Sequence, residues 1–158
     1  MKKILFIIPI SVMLSCGSTP EPDNPEANVF TSNELALGGY DPVAYFEQGE
    51  PRLGKEIEQV EYAGNLYAFN STKNRKLFEE NPTKYLPEYG GWCAYAVAEN
   101  ATRMSPDPLQ WQIQDGKLLL FTSNFMTSLT GDLKDDWNEA PKEYKEKGDT
   151  NWGHMAGE

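Results

Sequence analysis

The chain has 158 residues and a formal net charge of −10. That acidity repels phosphate backbones and anionic headgroups, which argues against nucleic acid and an electrostatic membrane patch as partners. Two cysteines in the whole chain are too few for a disulfide framework or a cysteine-rich metal cage.

The two cysteines have different surroundings. Lys2 and Lys3 precede an apolar run from Ile4 to Leu14, broken by Pro9 and Ser11, and the run closes on Met13-Leu14-Ser15-Cys16. This is the pattern of a signal peptide, too short to span a bilayer as a permanent helix. Leu14-Ser15-Cys16 resembles a bacterial lipobox, with Met13 where leucine is usual. Residues 1–16 are therefore expected to be a lipoprotein signal with Cys16 as the lipidation point. The expected location is the cell envelope, with the domain facing the periplasm and the lipid as its only membrane contact. Residues 17–29 follow as an acidic tether carrying Pro20, Pro22 and Pro25, with too little apolar surface to offset the entropy of folding. Nothing else reads as a transmembrane segment.

Residues 30–152 have the size of one domain, and 153–158 read as a C-terminal tail. Between Phe30 and Trp152 lie 18 of the 19 aromatic residues, enough for a core without disulfides. No internal repeat and no heptad pattern stands out.

Gly38-Gly39-Tyr40-Asp41-Pro42 predicts irregular backbone, then a short helix or turn over Val43–Phe46. Val60–Ala63 and Leu66–Phe69 around Gly64-Asn65 predict a tight hairpin. Ser71 is placed to cap a helix over residues 72–80, with Leu77 and Phe78 turned inward. Asn81-Pro82 stops that helix, and Pro82 opens a short one ending at Tyr85. Gly90–Ala98 predicts a buried helix with Cys93 near its start. Trp111–Ile113 and Lys117–Phe121 around Asp115-Gly116 carry the strongest hairpin signal in the chain. Helices are expected over 124–129, 133–137 and 141–147. The sum is a small single α+β domain, two β-hairpins forming antiparallel sheet with several short helices packed on them.

These pieces, in this order, resemble the YHS domain family. The match is carried by Gly39-Tyr40-Asp41-Pro42-Val43-Ala44-Tyr45-Phe46 and by Glu61-Tyr62-Ala63-Gly64-Asn65-Leu66-Tyr67-Ala68-Phe69. It continues through Phe78, Asn81–Tyr85 and Pro87-Glu88-Tyr89-Gly90-Gly91-Trp92-Cys93-Ala94-Tyr95. Asp107-Pro108, Trp111, Asp115–Leu118, Trp137 and Asn151-Trp152 resemble the longer, exported branch. The resemblance runs from about residue 38 to 152. It implies a heavy-metal site in the metal-associated members, built from three cysteines. Those positions fall here on Ala44, Asn70 and Asn74, so the metal ligands are lost. Alanine has no donor atom, and neutral amides suit soft metals poorly.

Cys93 is the sharpest remaining candidate. As a thiolate at a helix start it would bind Cu(I) or act as a redox thiol. As a packed residue it would be a small protonated hydrophobe, and Trp92, Ala94 and Tyr95 favour that reading. A metal set of Cys93, Met104 and His154 would suit a copper or zinc ion. Met126 reads as core, and His154 and Met155 as a frayed end. Tyr40, Asp41, Tyr45, Tyr89, Trp92 and Cys93 are candidates to line a ligand pocket, with Glu88 beside Tyr89. Asp107 and Asp115 are explained by turns. No spacing pairs a nucleophile with a base, and Gly38-Gly39 and Gly90-Gly91 lack the lysine of a phosphate loop. The function expected is therefore non-enzymatic binding of a metal ion or a small ligand. The alternatives are an adaptor docking a protein partner, and a thiol redox protein using Cys93.

Overall fold

The computed structural model describes residues 28–123 and 133–156. The expected leader and most of the tether, the helix expected over 124–129 and Met126 lie outside them. Among the described residues no helix is long and apolar enough to cross a membrane.

The fold is a small α+β domain. Strands β1 (Thr31–Ser32) and β2 (Leu35–Ala36) form a miniature hairpin through Asn33 and Glu34, both at positive φ. Strands of two residues leave no periodicity, and sequence reading missed them. A 3₁₀ turn over Leu37–Gly39 leads to Asp41, which caps helix α1 (Pro42–Glu47). Pro42 sits in the first turn, where a missing N–H costs little.

Strands β3 (Lys55–Tyr62) and β4 (Asn65–Phe69) make the first long hairpin. Its turn is Ala63-Gly64, one residue earlier than the expected Gly64-Asn65. Asn65 already pairs with Tyr62, and φ is +49° at Ala63 and +78° at Gly64, as a type I′ turn requires. The four-stranded sheet runs β1-β2-β4-β3, with β2 parallel to β4. Helix α2 (Thr72–Glu80) starts on Ser71, whose Oγ accepts the Asn74 amide hydrogen at 3.2 Å. Helix α3 (Pro82–Tyr85) follows the break at Asn81.

The helix expected from Gly90 begins later, as α4 (Ala94–Asn100). Tyr89, Gly90 and Gly91 have φ of +52°, +60° and +82° and form a second 3₁₀ turn with Glu88. A side chain at Gly91 would start 2.6 Å from Leu37 Cδ2. The second long hairpin is β5 (Asp107–Gln114) and β6 (Lys117–Phe121), turning on Asp115-Gly116 as expected, in a sheet of its own. Helices α5 (Leu133–Glu139) and α6 (Pro141–Met155) close the chain. The frayed end expected after Trp152 is instead the last turn of α6, with Met155 buried. Asn151 Nδ2 donates to the carbonyls of Val97 and Ala98 at 3.0 and 2.9 Å, satisfying the end of α4 and pinning α6 to it.

Buried side chains form three clusters. Val43, Tyr67, Phe69, Phe78 and Tyr85 fill the first half, and Cys93, Val97, Leu119, Phe121 and Trp137 fill the second. Leu37, Tyr45, Leu118 and Leu120 join the halves. The absence of a visible repeat in the sequence is corrected by the backbone. Adding 52 to the residue numbers of the first hairpin's pairs, Lys55–Phe69 and Gln59–Ala68 through Tyr62–Asn65, gives the second hairpin's pairs, Asp107–Phe121 and Trp111–Leu120 through Gln114–Lys117. Both hairpins slip register at the same step.

Candidate functional site

Ala44, Asn70 and Asn74 meet at one atom group, the Asp41 carboxylate. Asp41 is fully buried. Its Oδ1 accepts the amide hydrogens of Val43 at 2.8 Å and Ala44 at 3.2 Å. Its Oδ2 accepts the Asn70 amide hydrogen at 2.9 Å and an Asn74 side-chain amide hydrogen at 2.7 Å. A carboxylate offers about four lone-pair sites, and here all four are taken. Ala44, Asn70 and Asn74 each present N–H donors, the reverse of what a cation needs. Asn74 is itself buried. Asp41 thus ties α1 to the end of β4 and to α2.

The expected pocket set divides. Tyr45 is buried beneath the β5 bulge, where its hydroxyl donates to the Pro108 carbonyl at 3.0 Å and its ring meets Trp111 edge-on at 5.2 Å. Burial pushes its phenol above the usual range, helped by Tyr40, Asp107 and Asp41. Tyr40 packs on the cluster that joins the halves. None of Tyr40, Asp41 and Tyr45 lines the groove described below. Trp92 is spent on structure, its Nε1 donating to the Asn28 carbonyl at 2.7 Å and its ring meeting Phe30.

Cys93 has no exposed surface. Its sulfur accepts the Thr122 amide hydrogen at 3.3 Å, and its own amide hydrogen goes to the Met104 carbonyl at 3.0 Å. Met104 reaches Cys93 through that backbone bond and packs against the same cluster. His154 lies exposed on α6. The expected Cys93–Met104–His154 set is therefore split between core and surface. Among the described residues no group of three or more His, Cys, Asp or Glu side chains is placed to hold a metal.

Tyr89 lines a real groove of about 270 Å³, walled by Val29, Leu86, Pro87 and Trp152, with Thr83, Glu88 and Lys117 at its rim. Its volume sits just below the range of roughly 300–1,000 Å³ usual for ligand sites. Glu88 binds Lys117 and Lys145 from its two oxygens, each at 3.4 Å. Lys145 also holds Asp149 at 2.6 Å. Tyr89 donates to Asp149 Oδ1 at 3.1 Å, and its ring lies 6.2 Å from that of Trp152. Burial, then the Asp149 charge, pushes the Tyr89 phenol above its usual range, so it stays a neutral donor. Burial opposes the charge on Lys145, yet Asp149 and Glu88 raise it above the ordinary lysine value. Sequence reading singled out Tyr89 and Glu88 but missed Trp152, Lys117 and Val29, which only the fold brings to them.

No protein-family model, no curated protein and no solved structure matches the chain.

Proposed function

We propose that this chain is a lipid-anchored, envelope-facing module of the YHS type that binds a small organic ligand and not the heavy metal of the metal-associated members. One observation carries the reading. Ala44, Asn70 and Asn74 surround a buried carboxylate with N–H donors and leave it no free lone pair. The Tyr89–Trp152 groove then offers the ligand its place, with aromatic and aliphatic walls and an ion-paired rim that can fix a polar end. The non-enzymatic reading rests on the residues themselves, since neither region pairs a nucleophile with a base.

Two titrations test this. Cu(I) and Zn(II) under native mass spectrometry should give no stable one-to-one complex. A panel of aromatic acids and alcohols, followed by ligand-observed NMR, should contain binders that Thr83→Trp blocks, because that exposed position fills the groove without touching the core. Tight one-to-one metal binding, or binders indifferent to Thr83→Trp, refutes the proposal. The adaptor reading is favoured by a separate observation, the exposed aliphatic side chains of Ile57 at 84% and Leu109 at 58% on the strand bulges. It gains if no panel member binds and a partner is lost with Ile57→Ser.

A further inference from the structure

The match between the two hairpins extends to the described backbone that leads into them. Leu37, Gly38 and Gly39 have φ of +55°, +62° and +84°, and 52 residues on, Tyr89, Gly90 and Gly91 have +52°, +60° and +82°. Gly49 and Ala101 end their helices at positive φ, and Ala63-Gly64 answers Asp115-Gly116. The long-range bonds repeat as well. The parallel pairing of Leu35 with Leu66 recurs as Pro87 with Leu118. The bond from the Tyr40 amide to the Leu37 carbonyl recurs from Trp92 to Tyr89, and that from Asp41 to Arg52 recurs from Cys93 to Met104. Independent segments do not converge on one set of rare backbone angles and one register together.

We propose that the domain carries two tandem copies of one unit with a 52-residue period, matched over residues 35–71 and 87–123, and that Cys93 is the second copy's version of the Asp41 hub. Both residues are the N-cap of the helix that follows the glycine turn. Both are fully buried. Each accepts the amide hydrogen of the residue just after its hairpin, Asn70 onto Asp41 Oδ2 at 2.9 Å and Thr122 onto Cys93 Sγ at 3.3 Å. The copies have diverged at the helix end of this contact. Asp41 also holds Val43 and Ala44, whereas Cys93 makes no side-chain cap bond and keeps only the tie to the strand end. A weakly accepting sulfur suits a site with one donor, where a carboxylate would be left short of partners. Cys93 is thus a positioning residue that fastens α4 to the end of β6. The groove lies where the second copy begins, lined by Thr83 and Leu86 just before it and by its first residues, Pro87 to Gly90.

The test reads the thiol and the amide it holds. An aryl disulfide reagent applied to the native chain, with peptide mapping to separate Cys93 from Cys16, should label Cys93 only at the rate of unfolding. In amide exchange, Cys93→Ala should speed the Thr122 amide roughly tenfold relative to its neighbours, as losing one acceptor implies. Cys93→Ser, which keeps an acceptor, should speed it less. Labelling of Cys93 in the native state at the rate of an unfolded thiol overturns the proposal. So does a Thr122 amide unmoved by Cys93→Ala. The wild-type labelling result stands even if a variant fails to fold.

Discussion

Replacing Asp41 with alanine should be among the most damaging single changes outside the large aromatic core. The side chain holds four donors at 2.7 to 3.2 Å, and the carboxylate itself has no solvent exposure. Hydrogen bonds to a charged group contribute about 1.5–3 kcal/mol each, but the four share one acceptor and are not additive. Loss of the cap alone costs about 1 kcal/mol. Stranding the buried Asn74 side chain adds about 1–3 kcal/mol, and stranding the part-buried Asn70 amide adds about 1 kcal/mol. The carboxylate's own desolvation is recovered, which offsets part of the loss. A net destabilisation of about 4 kcal/mol follows, a large share of the 5–15 kcal/mol typical of a domain. Asp41→Asn keeps one oxygen for Val43 and Ala44 but turns an amide toward the Asn70 and Asn74 donors. Asn74 can flip to accept from it, and Asn70 cannot, so about 2–3 kcal/mol is expected. Urea unfolding followed by tryptophan fluorescence measures both, with an unchanged slope confirming that stability alone has moved. An Asp41→Ala loss below about 1 kcal/mol, or an Asn variant worse than the alanine one, would refute the hub.

Three further outcomes follow from the geometry. Ala63 holds φ at +49° in a type I′ turn, so Ala63→Gly should raise stability by about 0.5–1 kcal/mol in the same assay, where a loss would contradict the turn assignment. A side chain at Gly148 would start 2.6 Å from the Tyr89 hydroxyl, so Gly148→Ala should cost about 1–3 kcal/mol, despite the better helix propensity of alanine. Tyr45 and Tyr89 ionise later in the folded state than in the unfolded one, so the unfolded chain binds fewer protons above the ordinary tyrosine value. Their contribution is intact below about pH 10 and falls as pH rises beyond it, by about 1.4 kcal/mol per pH unit for each. Phenolate absorbance should therefore show these two ionising only as the fold is lost, and two early, reversible ionisations in their place would count against their burial.

Much of the local structure was legible in the residues. Ser71, Asn81-Pro82 and Asp115-Gly116 announce a cap, a stop and a turn through interactions spanning four residues or fewer, and each element formed where those signals lie. The errors came where pairing or packing overrode a local signal. Gly64-Asn65 looked like the turn because asparagine tolerates positive φ, but pairing of Asn65 with Tyr62 moved the turn onto Ala63. Alanine-rich Gly90–Ala98 looked helical throughout, but the tertiary packing of Gly91 against Leu37 holds its first residues in a left-handed turn. Cys93 was placed correctly as buried at a helix start, and its partner could not be guessed, since Thr122 is 29 residues away.

By itself the sequence determined the α+β class, most of the helix starts and the acidic balance, because these depend on composition and on neighbours within one turn. Only the tertiary structure decided which residues the motifs bring together. It gathered Ala44, Asn70 and Asn74 onto one carboxylate, set Trp152 across from Tyr89, and exposed two copies of one unit behind nine identities in 52 aligned positions. The physical reason is that backbone angles and hydrogen-bond register survive exchange of nearly every side chain, so long as glycine or a tolerant residue stays at each left-handed turn and an acceptor stays at each buried cap.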